Sequence, residues 1–229
     1  WHGGRASGLR RLSTMAACVM KLTDIPSPSA TAASTLQGTE SLAALQRRSI
    51  RGFTPQPVAD TVLDAILQEA RQAPSGANLQ PGYFWQVCGD LRGELTSRLQ
   101  QAYEAGAQEE EDYGYFPNPL PMSLRKRQVS AAQALYGALG VERGDAAGRA
   151  RQFGRNFQFF DAPVALIITI DSGFGPGGYM DLGMAIYGLM LAAQSRGLAT
   201  CGIGAIASFP NLTREVLQLP ATQTVVCGM

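Results

Sequence analysis

Three segments of this 229-residue chain gather side chains able to do chemistry. The first is Arg47-Arg48-Ser49-Ile50-Arg51. Arginine offers a planar fork of donors that suits phosphate oxygens, and here three guanidiniums and a hydroxyl lie within five residues. One charge-assisted hydrogen bond contributes about 1.5–3 kcal/mol, so two or three hold a phosphate firmly. The same cluster also reads as a solvated basic helix end that complements the helix dipole.

The second is Pro74-Ser75-Gly76-Ala77-Asn78-Leu79-Gln80-Pro81. A proline stop and a small turn are followed by two side-chain amides. Amides donate and accept, which suits a flat heterocycle with alternating carbonyl and N–H groups. The alternative is ordinary turn chemistry, with Asn and Ser bonding to nearby backbone. The third is Gly173-Phe174-Gly175-Pro176-Gly177-Gly178, formally GxGxxG between a strand and a helix. As a dinucleotide fingerprint it fails. That motif needs an acid about 20 residues on, and none lies between Asp181 and Glu215. Pro176 sits within the turn, and too little chain follows for the remaining βαβ units, so the segment is expected to be a loop.

Composition excludes several chemistries. The lone histidine, His2, lies outside the body of the chain, so no Ser-His-Asp or Cys-His hydrolase is expected and no histidine-rich metal site. Cys18, Cys88, Cys201 and Cys227 match no zinc spacing. Their pattern favours a reducing, cytoplasmic setting. Net charge is +1, which gives no argument for nucleic acid or acidic membrane. No apolar run approaches the roughly 20 residues needed to span a bilayer. If the chain is an enzyme, a cofactor carries the chemistry and no side chain is assigned as catalytic.

The elements that must position these segments follow from periodicity. Ser41 to Arg47 suggests a short helix, with Leu42 and Leu45 inward. Val58–Ala73 is an amphipathic helix, with Val62, Leu63, Ile66, Leu67 and Ala70 on one face and Pro74 as its stop. Tyr83–Cys88 reads as a strand, then Leu91, Leu95, Leu99 and Tyr103 mark a helix. An acidic run, Glu109–Asp112, precedes a loop with Pro117, Pro119 and Pro121. Helices are expected over Ser130–Leu139 and Gly144–Phe159, and a buried strand over Pro163–Ile170. Tyr179–Arg196 is apolar almost all round, hence a buried helix, although Asp181 interrupts it. Leu198–Ala207 is a glycine-rich strand and loop, Leu212–Leu217 a short helix, and Thr222–Cys227 a last strand.

Residues 1–40 do not read as core. Arg5, Arg10 and Arg11 without acids, then a Ser-, Thr-, Ala- and Pro-rich stretch, suggest a disordered or organelle-targeting segment. Upstream sequence before a start at Met15 or Met20 is the other reading.

Taken in order, R-R-S-x-R closing the first helix, P-S-G-x-N-x-Q-P after the next, Asp161-Ala162-Pro163 before a buried strand, Asp181 to Cys201, and Thr224-Val225-Val226-Cys227-Gly228 resemble the FMN-dependent nitroreductase family. The similarity runs from about Ser41 to Met229. It implies an α+β fold of three layers, a central, mostly antiparallel sheet flanked by helices, in an intertwined homodimer with FMN in the dimer interface. Arg47, Arg48 and Ser49 match phosphate- and ribityl-side contacts, and Arg51 a basic residue near the flavin pyrimidine edge. Pro74, Ser75, Gly76 and Asn78 match contacts from the partner chain, with Gln80 in the same motif. Gly202, Ile203 and Gly204 match backbone beside the flavin's reactive nitrogen. The implied reaction passes hydride from NADH or NADPH through FMN to a nitroaromatic or quinone.

Alternatives stay open: another acceptor, as in a dehalogenase or flavin-degrading relative, or a degenerate chain without activity. The stretch Tyr113–Arg127 would form the lid that decides the acceptor, with Tyr113, Tyr115, Phe116 and Tyr136 available for stacking. Family members usually continue past the last strand into a C-terminal arm, and this chain ends before one, so a truncated domain over 41–229 is expected.

Overall fold

The computed structural model describes residues 18–21, 44 and 46–229. Its centre is a four-stranded sheet of β1 (Cys18–Lys21), β2 (Tyr83–Val87), β3 (Ala165–Asp171) and β4 (Gln223–Gly228), in that order. Every pairing is antiparallel. Side chains alternate across a strand, and the sheet has a core on each face. Phe84, Leu166, Ile168 and Ile170 pack against helices α1 (Asp60–Ala70) and α5 (Pro176–Ser195). Trp85, Val87, Ala165, Ile167 and Val225 pack with residues of α2 (Gly89–Glu104), the 3-10 segment Arg155–Asp161 and α6 (Pro210–Leu217). This is the three-layer α+β arrangement expected. Thr169, fully buried between the layers, accepts from Trp85 Nε1 at 2.9 Å and donates to Gln223 Oε1 at 2.7 Å, so its hydroxyl is satisfied.

Several boundaries differ from the periodicity reading. Residues 18–21, inside the expected extension, pair with β2 as an edge strand, since a ladder needs only backbone groups. Ala44 and Gln46 are helical, while Leu42 and Leu45 lie outside the described residues. The helix expected from Ser130 starts at Met122, directly after Pro121, so much of the expected loop belongs to α3 (Met122–Ala138). Proline cannot continue a helix N-terminally but is well placed just before one. The following helix, α4 (Ala146–Gly154), gives way to the 3-10 segment at Arg155. The segment 198–207 forms isolated bridges and a 3-10 turn, Gly204–Ser208, rather than a strand.

Helix α5 corrects an expectation of complete burial. Leu182, Ala185, Leu189, Ala192 and Ala193 are buried, but Met180 and Tyr187 are 63% and 45% exposed. With Gly183 they form an uncovered stripe at helical spacing. Among the described residues no helix is long and apolar enough to cross a membrane, and no cluster of His, Cys, Asp or Glu is arranged to hold a metal.

Candidate active site

Two of the sequence motifs meet at the edge of the sheet. Beyond β4, Ile203 exchanges both backbone hydrogen bonds with Gly228, at 2.7 and 2.9 Å. Three residues earlier, Thr200 accepts the Ile50 N–H at 3.1 Å and forms a parallel bridge with Ser49. The Arg47–Arg51 segment is therefore hung on the sheet through residues 200–203. Arg47 and Arg51 are half-buried, while Arg48 and Ser49 are exposed. Burial pushes the Cys201 thiol up, and the positive charges of Arg51 and Arg47 act in the opposite sense.

Behind Arg51 stands a support with no obvious sequence signal. Arg155 Nη1 donates to the Arg51 carbonyl at 3.0 Å, and Arg155 pairs with Asp161 at 3.2 Å. The Arg51 and Arg155 guanidiniums lie 6.0 and 5.7 Å from the centre of the Phe160 ring, within cation–π range. Phe159, Phe160 and Asp161 all have left-handed backbone, with φ of 52°, 53° and 63°. Three such residues in a row cost free energy and persist only where surrounding structure imposes them. The only hint was Asp161-Ala162-Pro163, read as a lead into a strand.

The stretch 202–204 divides by role. Ile203 is 2% exposed and its backbone is bonded to Gly228, so it anchors the stretch. Gly202 and Gly204 are exposed on either side. A Cβ on Gly202 would sit 3.3 Å from Met190 Cε, and one on Gly204 3.6 Å from the Tyr115 ring.

The turn of Pro74–Pro81 is built differently. Asp181 Oδ2 accepts the Gly76 N–H at 2.9 Å, and Ser75 Oγ accepts the Gln80 N–H at 2.9 Å. Gln80 accepts from Arg71 Nε at 3.2 Å and donates to Asn78 Oδ1 at 3.1 Å, so its amide braces the turn. Ala77, Asn78 and Gln80 are left-handed, and Pro74, Gly76 and Asn78 are exposed. Asp181 was visible in the sequence as a lone acid in an apolar helix, a sign that such a group has a partner.

This turn does not meet the other two motifs within one chain. It is fastened near the start of α5, whereas 200–204 follows its end. Asp181 and Ser195 are separated by about 20 Å of helix axis. The glycine-rich segment 173–178, expected to be a loop throughout, enters α5 at Pro176; it has open space around Gly173, Gly175 and Gly177 and no part in the Arg47–Arg51 cluster. A groove of about 780 Å³ is lined in part by Cys201 and Ile203 but by none of the arginines of the first motif. Its lining of Phe53, Val62, Leu63, Ile66 and Leu189 is apolar. The charge that suits an anion lies at the arginine face instead.

Residues 44–229 match the family model described as the nitroreductase family. The chain belongs to the nitroreductase family. It is 37% identical to the 4-nitrobenzoate reductase of Pseudomonas putida, over 80% of each chain. It is 38% identical to the nitrobenzene nitroreductase of Ectopseudomonas oleovorans, over 80% of this chain and 81% of that one. Among solved structures it resembles the FMN and NADPH-dependent nitroreductase NfnB from sphigopyxis sp. strain HMH, with a TM-score of 0.79 and 34% identity over 82% of this chain and 85% of that one. For a nitroreductase-family chain, the residues at the sheet edge fit FMN. Guanidiniums and a hydroxyl suit its phosphate, and two exposed glycines offer backbone without a side chain where a flat ring needs close approach.

Proposed function

We propose that this chain is an NAD(P)H-dependent flavoenzyme that reduces nitroaromatic compounds, acting as a homodimer in a reducing cytoplasm. The observation that carries the reading is the hydrogen-bonded placement of Arg47–Arg51 beside Cys201–Gly204. Its relatives support it: chains of 37% and 38% identity are reductases of 4-nitrobenzoate and nitrobenzene.

The chemistry FMN supplies when bound is two-electron transfer, hydride taken from NAD(P)H and electrons passed to the nitro group. The chain's own residues bind and orient. Arg47, Arg48 and Ser49 hold the phosphate end. Arg51, braced by Arg155 and Phe160, keeps a positive charge beside the ring system, where negative charge develops on reduction. Gly202 and Gly204 present backbone, with Ile203 fixing their position. No side chain donates or removes a proton in this account, in keeping with the absence of a histidine from the body of the chain.

Two observations support a second copy. The turn carrying Pro74, Ser75, Gly76 and Asn78 sits at the opposite end of α5 from the arginine cluster, so two antiparallel copies of α5 would bring each turn to the other chain's cluster. The uncovered stripe of Met180, Gly183 and Tyr187 lies on that same helix.

The test is a visible spectrum of the purified chain, with added FMN, then NADPH, then nitrobenzene, alongside its mass in solution. A flavin spectrum that bleaches with NADPH and returns with nitrobenzene, from a dimer, is expected. Failure to take up FMN overturns the reading, and a flavin-loaded monomer overturns the shared site.

A further inference from the structure

The 3-10 segment Arg155–Asp161 begins on a base and ends on an acid, and the two side chains meet. A regular 3-10 helix would set backbones six residues apart about 12 Å from each other. Here the left-handed backbone of Phe159, Phe160 and Asp161 turns the chain back. Asp161 Oδ2 then accepts from Arg155 Nη2 at 3.2 Å. Arg92 holds the next two residues, donating to the Ala162 and Pro163 carbonyls at 2.5 and 3.2 Å. Burial lowers the pKa of Arg92, and the charge of Asp161 opposes that effect. One carboxylate therefore acts on two guanidiniums.

Arg155 also donates Nη1 to the Arg51 carbonyl at 3.0 Å, so it bridges Arg51 and Asp161. The Arg51 and Arg155 guanidiniums lie 6.0 and 5.7 Å from the centre of one ring, that of Phe160. Like charges gathered around one ring repel, and Asp161 offsets the second of them. The strain that lets the carboxylate reach Arg155 persists only where packing imposes it, and the buried rings of Phe159 and Phe160 supply that packing. A brace for Arg51 would need only Arg155 and its bond to the Arg51 carbonyl. Among the described residues no hydrogen bond or ion pair joins Asp161 to Arg51, so what the acid adds there is charge.

We propose that the Arg155–Asp161 pair tunes the reduction potential of bound FMN by setting the net positive charge behind Arg51. The inference rests on the flavoenzyme reading above and deepens it: Arg51 supplies the charge beside the ring system, and Asp161 sets how much Arg155 adds to it. Reduction places negative charge on the flavin. A more positive surrounding therefore favours the reduced form, and a less positive one the oxidised form. Neither Arg155 nor Asp161 is a catalytic residue in this account; both act at a distance through charge.

The experiment measures the two-electron midpoint potential of the FMN-loaded protein, by reductive titration against a reference dye at neutral pH and low salt. The chains compared are the parent, Asp161→Asn, Arg155→Gln, Arg155→Lys and the double variant Arg155→Gln with Asp161→Asn. Asparagine keeps the size of the side chain and tolerates left-handed backbone, so the turn is retained. Asp161→Asn is expected to raise the affinity for reduced relative to oxidised FMN about 2- to 5-fold, a rise of about 10–20 mV for a two-electron couple. Arg155→Gln should lower it by a similar factor. The double variant, which removes both charges, and Arg155→Lys, which keeps the positive one, should lie near the parent. The shifts should shrink at high ionic strength, because both side chains are partly exposed.

The potential compares the affinities for the two forms of FMN. A loosened Arg51 that weakens both forms equally leaves it unmoved, whereas a lost charge moves it in the direction set by its sign. Shifts of the same sign in Asp161→Asn and Arg155→Gln, or no shift in either, overturn the proposal. Should Arg155→Gln fail to fold in a thermal melt, Asp161→Asn carries the test: a raised potential supports the proposal, and an unmoved or lowered one overturns it. Fluorescence titration with oxidised FMN separates the two readings. A parent that takes up no FMN overturns the flavoenzyme reading and this proposal with it; a parent that binds FMN, with both single variants at its potential, overturns this proposal alone.

Discussion

The carboxylate of Asp181 accepts the Gly76 N–H at 2.9 Å, joining two residues 105 positions apart in the chain. This bond fastens a turn in which Ala77, Asn78 and Gln80 hold left-handed backbone. Asp181→Ala removes the acceptor. For a solvent-exposed pair the loss is about 1 kcal/mol, or a few degrees in Tm. FMN affinity should fall with it if, as proposed, the turn serves the site of a partner chain. Asp181→Asn, which retains an oxygen, should lie close to the parent. Thermal melts and flavin titrations identical for all three variants would remove Asp181 from this role.

Arg47 is half-buried, and its guanidinium belongs to the proposed phosphate grip. Arg47→Ala should weaken FMN binding by about 1.5–3 kcal/mol, the worth of one charge-assisted hydrogen bond. Gly173→Ala is the control. Gly173 has nothing within 4 Å of an added Cβ, so FMN affinity should be unchanged. Fluorescence titration of apoprotein with FMN reads both, and a large loss at Gly173 would revive the dinucleotide loop rejected from the sequence.

Gly82 leads into β2 with φ of +106°, and an added Cβ would lie 2.5 Å from Leu182 Cδ1. Gly82→Ala combines backbone strain with a clash against a core residue of α5, so a loss of about 2 kcal/mol or more is expected. Gly93, in α2, has open space around it and no positive φ. Gly93→Ala should stabilise by about 0.5–1 kcal/mol, because alanine has the better helix propensity. Urea denaturation curves with similar m-values and opposite midpoint shifts are the expected pattern.

Burial holds the Cys227 thiol up to about 12 and pushes the Cys201 thiol and the Tyr113 phenol above their ordinary values. All three lose protons more readily when unfolded, so the unfolded chain binds fewer protons at high pH. Their contribution is complete below the ordinary cysteine value near 9 and declines as pH rises towards 12. Denaturant midpoints measured from pH 8 to 11 should therefore fall. At neutral pH iodoacetamide should label exposed Cys88 ahead of buried Cys201, and peptide mass spectrometry showing the reverse order would contradict the burial of that thiol.

Much of the fold was legible locally. Val62, Leu63, Ile66, Leu67 and Ala70 announced α1, although it spans Asp60–Ala70 and closes before Pro74 rather than running over Val58–Ala73, and the β-branched run before Asp171 announced a buried central strand. Hydrophobic period and proline placement are properties of neighbouring residues, so they survive in a one-dimensional reading. The motifs Arg47–Arg51 and Pro74–Pro81 were likewise legible as residue types with a chemistry. Their grouping was not. Ser49 meets Thr200 through backbone hydrogen bonds, which leave no mark on side-chain identity. Arg155 behind Arg51, Asp181 under Gly76 and Asp112 on Arg214 are single charged residues whose partners lie about 100 positions away. A charge in a sequence looks the same whether solvated or paired, and only the packed chain distinguishes the two. Gln80 and Ile203 carry the same lesson in reverse. By type and place they read as ligand contacts, and neither type nor place shows the tertiary hydrogen bonds to Arg71, Asn78 and Gly228 by which they also brace the structure.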